Sequence, residues 1–457
     1  AYFKAQHTKP LSARQTALRS FKQMLLENEA KLYAAVQADF GKSEHEAFLT
    51  EWAILIKDID EALSSLKNWT KPQKVRTNLV NWPGKSFTIA EPFGQSLVIG
   101  AWNYPIQLSL APAIAALAAG NTVILKPSEL AANCAQCMAD IVAAYFSPKL
   151  FTVVQGGIAE TSALLETRFD KIFFTGSPAV GRIVYQAAAK HLTPVTLELG
   201  GKSPAILTPS ANLPVAIKRL VWAKFLNAGQ TCIAPDYILV QKNMKVNFIS
   251  FLIEEILKAY GKKIDKSPDF ARIINTKNWQ RLQAMIEPKK VIFGGVSNEE
   301  SRYISPTLLD EPDLNSEVMK DEIFGPILPI ISYHNENDIQ KIIAHYEKPL
   351  SLYVFSENKD FAEKMITHYS FGGGCVNDCV IHFSNKRMPF GGVGQSGLGA
   401  YHGKFGFDSF THKKAIVKKP TWGDVPVRYA PYKNKLKYIK KLPWNNSLKV
   451  VVKALIW

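Results

Sequence analysis

The chain has little cysteine. There are five in 457 residues, odd in number and scattered, which is no framework for a secreted disulfide scaffold and fits a reducing cytosol. Cys134 and Cys137 form Cys-x-x-Cys in an Ala-rich helical stretch, but no second pair completes metal-ligand spacing, so they read as packing residues. The nine histidines form no His-x-x-x-His or similar cluster, and no catalytic metal is expected. A long unbroken apolar run is also missing. The longest, Ile106 to Leu125, is interrupted by Ser109, Pro112, Gly120 and Asn121, which divide it into a helix, a turn and a strand of buried interior rather than a membrane span. No apolar signal core follows Lys4, Lys9 and Arg14. Internal repeats and low-complexity segments are absent, and so is the usual Gly-x-Gly-x-x-Gly dinucleotide fingerprint. Acidic residues are scarce at the C-terminal end. From Lys413 to Trp457 twelve Lys and Arg face one acid, Asp424, so +11 of the +16 net charge lies there. That distribution argues against a nucleic-acid groove spread over the fold and for a basic appendage.

What is present is an ordinary globular composition, 47% hydrophobic and 21% charged, in a chain long enough for two or three domains. Residues 11–70 read as helices: Leu18, Phe21, Met24, Leu25 and Leu32 recur at helical spacing, as do Trp52, Leu55, Ile56, Ile59 and Leu63. Val75–Ala90 reads as a hairpin turning at Pro83-Gly84, either a surface hairpin or a strand pair for another subunit. From Gln95 short apolar strands alternate with helices, ending with a strand at Val195–Leu199. A second alternation runs from the Leu213–Leu226 helix to a helix at Phe361–Thr367. The expected fold is α/β, with two doubly wound parallel-sheet domains and a β-hairpin element. The expected divisions are 1–201, 202–386, 387–415 and a tail at 416–457.

The chemistry centres on Asn227-Ala228-Gly229-Gln230-Thr231-Cys232-Ile233-Ala234-Pro235-Asp236, between a helix and the strand Tyr237–Gln241. Gly229 and Pro235 place Cys232 at a backbone turn, where a thiolate can be a nucleophile; the plain alternative is a small buried hydrophobe. Glu198 sits in Leu-Glu-Leu-Gly-Gly, where burial would raise a carboxyl toward general-base range; the alternative is an exposed strand face. Asn103, in Trp102-Asn103-Tyr104-Pro105 after the first strand, could donate to an oxyanion or simply shape a turn. Lys126 and Glu129 follow the second strand, where a lysine and a carboxylate could hold ribose hydroxyls or form a solvated loop. Gly176-Ser177-Pro178-Ala179-Val180-Gly181 joins a strand to a helix, as a phosphate-facing loop or a tight turn.

Taken together and in order, Trp-Asn-Tyr-Pro, Lys-Pro-Ser-Glu, Phe-Thr-Gly-Ser, Leu-Glu-Leu-Gly-Gly, Gly-Gln-Thr-Cys and Glu-Ile-Phe-Gly-Pro resemble the aldehyde dehydrogenase superfamily over roughly residues 10–415. Cys-Ile-Ala-Pro-Asp, Pro389-Phe390-Gly391-Gly392 and Tyr401-His402-Gly403-Lys404-Phe405 resemble its class 3 branch, which includes fatty aldehyde dehydrogenases. The resemblance implies oxidation of an aldehyde to the acid through a thiohemiacetal and thioester on Cys232. Asn103 and the Cys232 N–H would bind the oxyanion, and Glu198 would activate water. The implied cofactor is NAD, with NADP open. Trp102, Lys126, Glu129, Gly176, Ser177 and Gly181 would bind it, and Glu322 and Phe324 would position its nicotinamide ribose, with Glu322 a second candidate base. A homodimer is implied.

The tail departs from the soluble class 3 pattern. Residues 433–457 combine lysines with an apolar end, and a helix over Ser447–Trp457 would span about 16 Å, too short for about 30 Å of hydrocarbon. Contact with a membrane surface is one expectation and docking on the fold the other. Membrane contact would go with an apolar aldehyde, a long alkyl chain or a polyene. The expected compartment is the cytoplasm, with or without peripheral attachment to the inner face of a membrane. Two other functions use the same residues: a cysteine-dependent ester or thioester hydrolase, and a non-catalytic membrane-associated binding protein.

Overall fold

Leu18, Phe21, Met24 and Leu25 point one face of the Leu11–Glu27 helix into the core, and Leu55, Ile59 and Leu66 do the same for Ala53–Thr70. In the computed structural model, which describes residues 2–424 and 426–440, these helices pack with Glu29–Phe40 beside the first sheet. Strand β1 (Gln73–Val75) pairs antiparallel with β2 (Lys85–Pro92). A hairpin is therefore present, but its first arm lies at Gln73–Val75 and overlaps the expected Val75–Ala90 only at Val75, with residues 76–84 forming the connection. Asn78 Oδ1 accepts from the Asn81 N–H and side-chain amide, folding residues 79–81 into a turn that interrupts strand pairing.

The first sheet contains β3 (Gln95–Ile99), β4 (Thr122–Lys126), β5 (Phe151–Val153), β6 (Lys171–Thr175) and β7 (Val195–Glu198). All are parallel, in the order β7-β6-β3-β4-β5. These strands are almost wholly buried, as sheets covered by helices on both faces require. The second sheet is built on β8 (Pro204–Leu207), β9 (Tyr237–Gln241) and β10 (Val291–Phe293). A two-stranded ribbon, β11 (Ser297–Asn298) and β12 (Tyr303–Ile304), precedes β13 (Thr307–Asp310), β14 (Ile327–Tyr333), β15 (Ser351–Phe355) and β16 (Gly373–Val376). Its order is β10-β13-β14-β9-β8-β15-β16, parallel except at β10. Short β17 (Gly397–Leu398) returns to the first sheet, antiparallel to β7. β18 (Thr411–Lys418) then pairs with β2 along its length and completes a three-stranded sheet. Sequence patterning did not reveal β8, β16 or β18 as strands, nor the two-residue β11, β12 and β17.

Two edges face one another across the molecule. The chain leaves β3, β4, β6 and β7 toward Asn103, Lys126, Ser177 and Glu198, all at the carboxyl ends of the first sheet. Cys232 lies just before β9, and Glu322 and Phe324 just before β14, so these reach the same region from the amino ends of the second sheet.

Candidate active site

The cysteine turn is held by buried polar bonds. Asn227 and Ala228 have left-handed backbone, φ 53° and 51°. Gly229 follows at φ 75°, where a Cβ would lie 2.3 Å from the Gly325 carbonyl oxygen. Only glycine fits there. The Gln230 side chain donates to the carbonyls of Asn227 (3.0 Å) and Arg272 (3.1 Å) and accepts from the Ile274 N–H (3.0 Å). Tyr104 and Thr231 share a hydroxyl hydrogen bond of 2.6 Å, and the Tyr353 hydroxyl donates to the Ile233 carbonyl at 2.5 Å. Cys232 is thus a half-buried thiol on a fixed turn.

Asn103 is buried, and its Nδ2 donates to the Gln230 carbonyl at 3.0 Å. An amide nitrogen carries two N–H groups, so one fixes the side chain beside the cysteine turn and the second remains for another acceptor. The Asn103 carbonyl accepts from Lys42 Nζ (3.2 Å) and Asn227 Nδ2 (2.7 Å). Lys42 is itself paired with Glu51 (3.4 Å), both side chains being buried. Glu51 accepts from the Ile106 and Gln107 N–H groups at the start of the Pro105–Ala119 helix. This brace across the helical segment has no local sequence signature.

Glu198 ends β7, 3% exposed, with neither carboxyl oxygen hydrogen-bonded among the described residues. Burial holds its pKa well above the ordinary carboxyl value. Glu322 is also raised by burial, then by Asp236, while the Gly201 N–H works the other way. A Cβ on Gly200 would sit 2.0 Å from Glu322 Oε2, so the carboxyl lies directly against that bare backbone. Burial, then Glu322 and Glu198, push the Cys232 thiol upward, opposed by the N–H groups of Cys232 and Ile233. The structure therefore gathers one thiol and two carboxyls within electrostatic reach, beside an amide donor. Asp236 and Lys202, not singled out from sequence, frame them. Lys202 Nζ donates to Asp236 (2.6 Å) and to the Val318 and Asp321 carbonyls, and Asp236 accepts from the Ile323 N–H at 3.0 Å.

The remaining predicted residues lie along the first sheet's edge. Lys126 is buried and donates to Glu129 (3.0 Å) and the Pro127 carbonyl (2.9 Å). Ser177 caps the Pro178–Ala189 helix by accepting from the Val180 N–H at 3.4 Å. Gly181 lies against Leu199, whose Cδ2 would be 2.8 Å from an added Cβ, and a Cβ on Gly176 would meet the Phe174 ring at 2.6 Å. Trp102 and Phe324 meet edge to face at 5.2 Å, with Phe324 at φ 53°. A buried lysine paired with a carboxylate, a bare glycine turn and a helix N-terminus along one edge fit a dinucleotide. Among the described residues no hydrogen bond or ion pair joins Lys126 or Glu129 to Cys232, and no group of His, Cys, Asp and Glu could hold a metal ion. Tyr401, which is buried, lies within electrostatic reach of Glu198 and Cys232. It continues into a cluster of His402, Phe383 and Phe390 with ring separations of 4.5–5.8 Å.

A model of the aldehyde dehydrogenase family matches residues 1–416. The chain belongs to the aldehyde dehydrogenase family. Like its relatives, this aldehyde dehydrogenase is an enzyme of the oxidoreductase class, and its α/β fold is the family's. It is 46% identical to 4,4'-diaponeurosporen-aldehyde dehydrogenase of Staphylococcus aureus, over 96% of both chains. It is 44% identical to aldehyde dehydrogenase family 3 member A2 of Mus musculus, over 94% of this chain and 89% of that one. With a dimeric, NADP-preferring aldehyde dehydrogenase of Canis lupus familiaris the identity is 41%, over 94% and 96%. These relatives agree with the class 3 resemblance of the motifs. Among solved structures, a substrate-bound state of Staphylococcus aureus AldH superimposes with a TM-score of 0.94 at 46% identity, covering 96% of each chain. A Mycobacterium tuberculosis aldehyde dehydrogenase complexed with NAD+ gives 0.81 at 28% identity, covering 91% and 87%.

Proposed function

We propose that this aldehyde dehydrogenase oxidises an apolar aldehyde, medium- to long-chain or polyene, to its carboxylic acid through covalent attachment to Cys232. The observation that carries the reading is the meeting of Cys232, the partnerless Glu198 carboxyl and the Asn103 amide at one turn. The Cys232 thiol gives its proton to an ionised carboxylate of the site, Glu198 or Glu322, and from there to solvent, as its sulfur attacks the carbonyl carbon. The free N–H of Asn103 and the Cys232 backbone N–H donate to the oxygen as its charge develops. NAD or NADP, when bound, would supply the hydride acceptor, so that loss of hydride from the tetrahedral carbon leaves a thioester on Cys232. Glu198 then takes a proton from water attacking that thioester, and the acid departs as sulfur regains its proton. Glu322 is the second candidate base, and its position against Gly200 suits a nicotinamide ribose contact. Lys126, Glu129, Trp102, Gly176, Ser177, Gly181 and Phe324 would hold the dinucleotide. Glu129 favours NAD, because a carboxylate repels a 2′-phosphate.

The relative named for 4,4'-diaponeurosporen-aldehyde supports an apolar substrate. Four divisions are proposed, 1–201, 202–386, 387–415 and 416–457; β7 and β8 lying in different sheets supports the first, and β17 rejoining the first sheet supports the third. A homodimer using the β1–β2 hairpin is supported by the relative named dimeric. The cytoplasm is the proposed compartment, with the basic tail from residue 433 resting on an anionic membrane surface. The described part of that tail holds a short helix, Leu436–Lys440, and residues 441–457 lie outside the described residues. No helix among the described residues is long and apolar enough to cross a membrane.

The test is intact-mass spectrometry of Glu198→Gln mixed with NAD and a fatty aldehyde. The expected result is an acyl adduct on Cys232 that persists because hydrolysis is slowed. A variant that turns over at the wild-type rate with no adduct would remove Glu198 from the mechanism.

A further inference from the structure

The Pro105–Ala119 helix begins beside Asn103 and ends, 15 residues later, about 22 Å away at a different cavity. That cavity, of about 430 Å³, lies between the start of the Leu11–Glu27 helix and the Tyr145–Leu150 segment. Its volume falls in the range of small-molecule sites. Arg14 lines it and is 7% exposed. The guanidinium donates to the Thr8 carbonyl (3.3 Å) and the Ala118 carbonyl (3.5 Å). A guanidinium has five N–H groups, so three are left without an acceptor among the described residues. No carboxylate among the described residues lies within ion-pair distance of Arg14, and neither Asp nor Glu lines the cavity. Burial alone lowers the Arg14 pKa, to about 10, with no neighbouring charge contributing.

Two further observations point the same way. Thr8 lines the cavity, is 4% exposed, and its hydroxyl has no partner among the described residues. The 17-residue Leu11–Glu27 helix starts at Pro10 with no side chain capping its first N–H groups, which leaves a positive helix end facing the same space. Ala13, Leu117, Phe146 and Leu150 supply apolar wall.

We propose that this cavity is a binding site for a monoanionic carboxylate with an apolar body, its carboxylate on Arg14 and Thr8 and its body against Leu117 and Phe146. The planar guanidinium fork matches a carboxylate edge. One buried cation balances one negative charge, whereas inorganic phosphate would bring more charge and no apolar surface. The site is independent of the Cys232 reaction.

The test is calorimetric titration of the full chain with octanoate, with inorganic phosphate as the competing anion. Arg14→Met is expected to weaken one octanoate site at least tenfold, and phosphate is expected not to displace octanoate from it. Octanoate held in the catalytic cleft would persist in Arg14→Met, so the two sites are read separately. Thr8→Val, and Ala13→Leu as a plug, are expected to weaken the same site and provide the comparison should Arg14→Met not fold. A crystal with 8-bromooctanoate should place bromine beside Leu117 and Phe146. Octanoate binding unchanged in all variants, phosphate binding as tightly as octanoate, or bromine found only beside Cys232 would each overturn the proposal.

Discussion

Asn103 Nδ2 and the Gln230 carbonyl are joined by a 3.0 Å hydrogen bond across 127 residues of sequence, which ties the end of β3 to the cysteine turn. The bond orients the amide and leaves its second N–H for the oxyanion role proposed for it. Asn103→Ala is expected to lower kcat by about 10²–10³, the usual cost of one oxyanion donor. The Gln230 carbonyl keeps Asn227 Nδ2 at 3.2 Å, so the thermal midpoint should change little. Steady-state kinetics together with a melting curve check this. A large fall in stability with unchanged kcat would mean that Asn103 only shapes the turn.

The Lys202–Asp236 pair frames the site from the second sheet, with side chains 3% and 5% exposed. Removing one member leaves the other charge buried without its partner. Asp236→Ala is expected to cost about 3–5 kcal/mol in denaturant unfolding, and also to loosen residues 321–323 through loss of the Ile323 N–H bond. Stability within about 0.5 kcal/mol of wild type, typical of exposed sites, would contradict the buried pair.

Burial alone raises the Glu198 pKa. Above the ordinary carboxyl value of about 4.3 the unfolded chain releases this proton while the folded chain retains it. The folded state then binds more protons, and stability falls as pH rises toward the folded pKa. Glu198→Gln removes that difference. It should be more stable than wild type at about pH 8, with the gap closing toward about pH 4. Melting curves across that range decide it, and a gap that widens at low pH would contradict the burial.

Much of this was legible because α/β folds write their elements as apolar runs. The strand expected at Tyr237–Gln241 matches its limits residue for residue. The missed strands hide behind their residues. β8 opens on Pro204 and has four residues, β16 begins with two glycines, and β18 is largely solvent-exposed and reads as a charged stretch. Cys232, Glu198 and Asn103 were legible because each motif sits at a strand end. Lys42, Glu51, Lys202 and Asp236 were not. Their partners lie tens of residues away, as between Lys202 and Asp236, and a buried lysine reads in sequence like an exposed one.

The central claim is that Cys232 carries out aldehyde oxidation. The direct measurement is NADH formation from NAD and hexadecanal by wild type and by Cys232→Ala, with NADP and acetaldehyde in parallel. Cofactor reduction by wild type is expected, faster with the long aldehyde, and none by Cys232→Ala. Reduction that survives in the variant would remove the cysteine from the mechanism. No reduction of either cofactor by wild type, with ester turnover in its absence, would favour a hydrolase using the same cysteine and glutamate.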